Sequence, residues 1–170
     1  MWQKEAQFTA LVNALSTDLY RHAFWLCRHR ELAEDLVQET FARAWRALDE
    51  LRDDRAARAW LLVTLRREHA RYFERTRPPM TNIDPDTLPA VRREFDTSTE
   101  AWVLRRELAR LPPDYREPLI LQIIGGFSLD EIADMLKVTS ATVTTRVFRA
   151  RQQLRRALGG STEEFEVASS

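Results

Sequence analysis

The chain has 170 residues, 44% hydrophobic and 31% charged, a balance that excludes a disordered polymer and admits one ordinary domain or two small ones. Lys and Arg total 26, as do Asp and Glu, so a nucleic-acid surface could arise only from how the charges are distributed. The single cysteine, Cys27, excludes an intramolecular disulfide, and no apolar run reaches the roughly 18 to 20 residues that cross a bilayer.

Residues Met1 to Ala10 lack the basic-then-apolar order of a secretion signal, so a cytoplasmic protein without membrane insertion is expected. Gly occurs only at 125, 126, 159 and 160, while Leu, Ala, Arg and Glu abound and no alternating strand pattern is visible. The fold class expected is all-α.

From Gln7 to Arg75 there is no Pro or Gly, and apolar residues recur at helical spacing, which predicts a first helical domain over 1–77. Within it, Leu36, Val37, Phe41, Ala44, Trp45 and Leu48 form one half of a helix. Asp35, Gln38, Glu39, Ala42 and Arg46 form the other half, which suits either a plain solvated surface or a docking face. Further on, Arg58, Arg66, Arg67, Arg71 and Arg75 are interleaved with Trp60, Tyr72 and Phe73. Arginine with aromatic residues suits single-stranded DNA, where cations neutralise the backbone and ring faces accept unstacked bases. Trp60 also opens an apolar run with Leu61, Leu62 and Leu65, which equally suits a core position.

Residues 78–99 hold Pro78, Pro79, Pro85 and Pro89 among Asp, Asn and Thr, and read as a flexible linker. A second helical domain is expected over 100–158, followed by a disordered tail over 159–170. Ser128 with Glu131 three residues later is a capping-box signal for a short helix carrying Leu129, Ile132, Ala133 and Leu136. Thr139 or Ser140 can cap the next helix, giving a helix-turn-helix layout. On that second helix Val143, Val147, Ala150, Leu154 and Leu158 make one apolar stripe. Ala141, Thr142, Thr145, Arg149 and Gln152 lie opposite, with Phe148 at the edge and Arg146, Arg151, Arg155 and Arg156 on the flanks. Hydroxyls and arginines can reach base edges while surrounding arginines neutralise phosphates; an ordinary amphipathic helix with a basic face would read the same way.

The runs Leu111-Pro112-Pro113-Asp114-Tyr115-Arg116-Glu117-Pro118-Leu119, Gly126 to Ala133 and Thr142 to Arg151 resemble region 4 of extracytoplasmic-function (ECF) sigma factors of the sigma-70 family. The run Ala33 to Trp45 is very similar to region 2.2 of that family, and Arg58 to Arg75 resembles regions 2.3 and 2.4. The resemblance implies a factor that binds core RNA polymerase and directs it to promoters, melting and reading the −10 element and reading the −35 element. It implies docking on the polymerase β′ coiled coil through Asp35, Gln38, Glu39 and Arg46. It implies −10 contacts from Trp60, Arg66, Arg67, Arg71, Tyr72 and Arg75, and −35 contacts from Thr142, Thr145, Arg146, Phe148, Arg149 and Arg151. Implied partners are core polymerase (its β′ coiled coil and β flap), promoter DNA and an anti-sigma factor. The length leaves no room for the extra domains of primary sigma factors, which points to the ECF group. Two positions depart from the family pattern: Thr144 stands where many relatives have Arg, and Arg67 stands where they have a base-capturing Asn in or beside a loop.

A metal site built on Cys27 and His29, with His22 or His69, would lack the paired ligand motifs of structural zinc, so no metal is expected. Asp35 and Glu39 lack a neighbouring nucleophile, phosphate loop or Glu-x-x-His, so neither enzyme activity nor a cofactor is expected. The rival reading is a dimeric helix-turn-helix regulator that does not bind core polymerase.

Overall fold

The computed structural model describes residues 2–51, 53–76 and 99–159. The linker expected over 78–99, apart from Thr99, and nearly all of the tail expected from 159 lie outside the described residues; Thr99 is helical and not part of a linker. Among the described residues there are seven α-helices and no strand, as the all-α expectation requires. They are α1 (Trp2–Cys27), α2 (Arg30–Ala47), α3 (Asp54–Thr76), α4 (Thr99–Arg110), α5 (Pro113–Ile123), α6 (Leu129–Leu136) and α7 (Ser140–Ala157). A 3-10 turn, Leu48–Glu50, follows α2. The chain divides into two compact units at residues 82–83.

In the N-terminal unit α1, α2 and α3 pack pairwise on one another. The core is Leu19, Ala23, Phe24 and Trp25 from α1, Leu32, Ala33, Leu36, Phe41 and Ala44 from α2, and Ala57, Leu61, Leu62 and Leu65 from α3. Thr40 is fully buried within this apolar set, and its hydroxyl is satisfied by donating to the Leu36 carbonyl at 2.6 Å. The break between α1 and α2 is sharp: Arg28 takes φ +53°, and the His29 Nδ1 caps α2 by accepting from the Leu32 N–H at 3.2 Å. That bond commits the His29 ring to the helix start. Burial pushes the Cys27 thiol up to about 11, far from the thiolate a metal would need.

In the C-terminal unit α7 packs on α4, α5 and α6. Val143, Val147, Ala150 and Leu154 of α7 meet a core built from Leu108, Leu111, Leu119, Ile120, Leu121, Phe127, Ile132, Ala133 and Leu136. The connection from α5 to α6 needs its two glycines. A Cβ on Gly125 would stand 2.5 Å from the Leu121 carbonyl oxygen, and Gly126 takes φ +68°.

His22 is buried beside Leu15, Leu19, Leu61, Leu62 and the Asp18–Arg58 ion pair, whose separation is 3.2 Å. Burial first, then the charge of Arg58, pushes its imidazole down to about 3 from the ordinary 6.5. The folded unit therefore holds His22 neutral, while the unfolded chain takes up a proton below pH 6.5. The stability this contributes is fully present above pH 6.5 and is lost as pH falls toward 3. Between pH 7.5 and 5 this group alone should cost the N-terminal unit roughly 2 kcal/mol, read by hydrogen exchange at α1 and α3 amides, and His22→Leu should remove that share of the slope.

Candidate polymerase-docking and nucleic-acid interfaces

The stripe that α2 buries decides which of its residues face outward. Asp35, Gln38, Glu39, Ala42 and Arg46 are all exposed. At roughly 100° per residue they fall within about 100° of one another, one continuous acid-and-amide face. Two residues assigned to the buried half stand at its edge: Val37 is half-buried and Trp45 is 37% exposed. The Trp45 ring meets Phe8 edge-to-face at 5.1 Å and lies under the Lys4 ammonium at 5.0 Å, so α1 supports it from one side.

An ionic chain runs from this face to α3. The Arg43 Nε lies 3.0 Å from a Glu39 oxygen and 2.8 Å from a Glu68 oxygen. The same Glu68 oxygen accepts from Arg71 at 3.0 Å. Glu68 is mostly buried, unlike the two exposed residues at the ends of the chain, Glu39 and Arg71. Its role was not legible in the sequence, where it reads as one more charge in a basic run.

The residues expected to meet the −10 strand are all on α3 and do not form one set. By helical angle Trp60, Arg67, Arg71 and Arg75 fall within about 80° of one another, with Tyr72 next to them. Arg66 projects about 100° away from the nearest of these, so the helix separates it from the stripe. Arg67, Arg71 and Arg75 are exposed, whereas Trp60 and Tyr72 are half-buried. Arg67 lies well inside α3 and not at a loop edge, so it approaches any ligand from the helix surface. His69 and Phe73 stack on each other with ring centroids 4.4 Å apart.

In the C-terminal unit the helix-turn-helix is built by three local devices. Ser128 and Glu131 form a complete capping box: the Ser hydroxyl accepts from the Glu131 N–H at 3.2 Å, and the Glu131 carboxylate accepts from the Ser128 N–H at 2.8 Å. Lys137 closes α6 in the left-handed conformation, φ +55°. Thr139, not Ser140, caps α7 by accepting from the Thr142 N–H at 3.2 Å. Ser140 instead donates to Asp130 on α6 at 2.6 Å, tying the two helices together across the turn.

On the face of α7 opposite its core stripe, Thr145 and Arg149 are exposed, Thr142 and Arg146 are half-buried, and Phe148 is 61% exposed. A phenylalanine so exposed on a folded helix suits contact with a thymine methyl or a sugar. The Thr144 hydroxyl donates to the Ser140 carbonyl of its own helix at 2.8 Å.

Arg151 departs from its expected role as a phosphate contact. It is only 8% exposed, and its Nη2 donates to Gln122 on α5 at 2.9 Å. Arg151 sits on the flank of the apolar stripe, near enough for α5 to cover it. Arg116 is likewise structural: buried, it donates to the Ala109 and Leu111 carbonyls and so satisfies the exposed end of α4. Among the described residues no group of three or more His, Cys, Asp and Glu side chains could hold a metal, and no helix is long and apolar enough to cross a membrane.

A helical bundle with an outward acidic face, followed by a helix-turn-helix with an arginine-bearing second helix, defines a helical transcription factor of two units. Residues 11–78 match the model of sigma-70 region 2, and residues 102–154 match the model of sigma-70 region 4. The chain is 32% identical over 139 residues to the ECF RNA polymerase sigma-E factor of Escherichia coli, covering 71% of this chain and 70% of that protein. It is 28% identical over 165 residues to the RNA polymerase sigma factor YlaC of Bacillus subtilis, covering 88% and 95%. It is 32% identical over 161 residues to the ECF sigma factor SigE of Mycolicibacterium smegmatis, covering 91% of this chain but 62% of that protein. The sigma factor RpoE, solved in complex with the anti-sigma factor NepR from Bartonella quintana, superposes with a TM-score of 0.70 at 25% identity, covering 91% of this chain and 98% of that one. The chain belongs to the ECF group of the sigma-70 family and is a promoter-directing transcription initiation factor.

Arg151→Ala should leave Gln122 without its partner and destabilise the C-terminal unit by roughly 1 to 3 kcal/mol in thermal unfolding. The salt dependence of promoter binding should stay as it is, since no phosphate contact is lost. A shallower salt slope with unchanged stability would return Arg151 to the DNA.

Proposed function

We propose that residues 1–77 form the unit that docks on core RNA polymerase and captures the −10 element, and residues 100–158 the unit that reads the −35 element, with 78–99 as the connection. The observation that carries this reading is the segregation of charge by face. An acid-and-amide surface on α2 and an arginine-bearing surface on α7 are each continuous, and each lies opposite a buried stripe. Asp35, Gln38, Glu39 and Arg46 meet the β′ coiled coil, where complementary charge supplies orientation and association rate. Trp60, Arg67, Arg71, Tyr72 and Arg75 follow the melted −10 strand, with Arg66 on a separate face. Thr142, Thr145, Phe148 and Arg149 face the −35 bases, and Arg146 a phosphate. The protein itself is not an enzyme in this reading; nucleotide addition belongs to the core polymerase it accompanies in the cytoplasm. The anti-sigma factor NepR, bound to RpoE, suggests an anti-sigma factor as a further partner.

The test of the docking face is charge reversal. Asp35→Arg and Gln38→Arg, both at exposed positions, should each weaken holoenzyme assembly by about tenfold or more while thermal unfolding stays unchanged. Holoenzyme formed at wild-type affinity by both variants would refute this face as the docking surface and move the polymerase contact elsewhere on the unit.

Arg67 sets part of the −10 preference in this reading, because a guanidinium offers donors only and an Asn side chain offers a donor and an acceptor. Arg67→Asn should leave polymerase binding and −35 recognition intact and change the favoured base at one position of the melted strand. A transcription assay across −10 variants would resolve the shift, since one direct base contact discriminates by about 1 to 3 kcal/mol. An unchanged preferred sequence would move the determinant elsewhere on α3.

A further inference from the structure

Arg149 is held from outside its own helix. Its Nη1 donates to the Tyr115 hydroxyl at 3.2 Å, and Tyr115 stands 34 positions earlier in the chain, in the first turn and a half of α5. The two helices pack on each other, so the contact joins two fixed elements. A second polar link, Arg151 to Gln122 at 2.9 Å, lies two turns further along α5 and holds the same pair of helices in register. Arg149 itself is exposed and Tyr115 is half-buried, and their bond lies at the exposed surface.

An exposed arginine ordinarily samples many rotamers, and a long side chain that must be ordered on binding loses affinity and selectivity in the process. The bond to Tyr115 fixes the guanidinium beforehand. It uses one of the five N–H donors of Arg149 and leaves the Nε and Nη2 edge for the bidentate pairing with a guanine O6 and N7.

We infer that Tyr115 is a positioning residue for −35 recognition: its hydroxyl presets Arg149 in the orientation that reads a base. This rests on the reading of Arg149 as a base-facing residue. Tyr115 touches no base; it acts through the arginine. The selectivity of the second helix therefore depends on a side chain outside the helix-turn-helix.

The experiment is run-off transcription by reconstituted holoenzyme on promoters carrying every single substitution in the −35 element. The factors compared are wild type, Tyr115→Phe, Arg149→Ala and the double variant. Arg149→Ala should flatten the preference at one base position and thereby identify it. Tyr115→Phe, which keeps the ring and removes only the hydroxyl, should reduce the preference at that same position by about three- to tenfold and leave the other positions as they were. In the Arg149→Ala background the tyrosine change should have no further effect, a coupling that a merely structural role would not produce. Arg149→Ala flattening a position that Tyr115→Phe leaves sharp would overturn the positioning role alone. A uniform loss on all promoters, or an equal loss in both backgrounds, would overturn it too, and would mark Tyr115 as a phosphate or folding residue. A gain in preference on removing the hydroxyl would reverse its sign, making the bond a restraint to be broken, and the inference would fall. If Arg149→Ala alters no base preference, the base-reading assignment itself fails and the inference falls with it.

Discussion

The orientation of every functional face in this protein follows from the apolar stripe on the other side of its helix. Burying one Leu or Val side chain stabilises by about 1.5 to 3 kcal/mol, while an exposed ion pair contributes about 1 kcal/mol or less. Leu36, Phe41 and Ala44 therefore fix the rotation of α2, and Val143, Val147, Ala150 and Leu154 fix that of α7, whatever charges those helices carry. Turning either helix by one residue would move its stripe by about 100° and expose it. The outward surfaces are in this sense free for recognition, because stability makes few demands on them.

The constraint also explains which charges are unavailable for recognition. An arginine beside a buried stripe is covered by the next helix and must find an acceptor there. Arg151 finds Gln122, and Arg116 finds the Ala109 and Leu111 carbonyls where α4 ends. Glu68 is the acidic counterpart, largely buried and placed between Arg43 and Arg71. Such groups contribute specificity of packing, since removing one partner leaves the other buried without its bond.

Periodicity and capping were enough to find the helical architecture, and residue order was enough to find the family. Spacing alone places Val143, Val147, Ala150 and Leu154 on the buried stripe of α7, whereas the fifth expected member, Leu158, is half-buried and stands just past the helix as its C-cap; the Ser128–Glu131 box is present atom for atom. What spacing could not decide were positions at the boundary of a stripe. Val37, Trp45 and Arg151 all lie there, and their burial depends on which neighbour covers them: Phe8 lies against only part of Trp45, whereas α5 covers Arg151. Choosing between Thr139 and Ser140 as the cap had the same character, because Ser140 is drawn away by Asp130, ten residues earlier and on another helix. The tie between Tyr115 and Arg149 spans 34 positions and has no local signature at all.

The two departures that the family resemblance implies, at positions 144 and 67, differ physically. At position 144 a long cation is replaced by a short hydroxyl that is already satisfied by Ser140 on its own helix, so both charge and reach are lost from the helix expected to face the −35 element. At position 67 the change runs the other way, since an amide is replaced by a longer cation on an exposed face of α3. Arginine gains reach and a fixed charge there but gives up the acceptor that an amide would offer a base. In the proposed reading, with the Thr144 hydroxyl turned back on its own helix, recognition by α7 rests more heavily on Arg149, the residue that Tyr115 holds. The α3 stripe proposed to follow the −10 strand, with Arg67 in line with Arg71 and Arg75, carries positive charge and offers a base no amide acceptor at position 67.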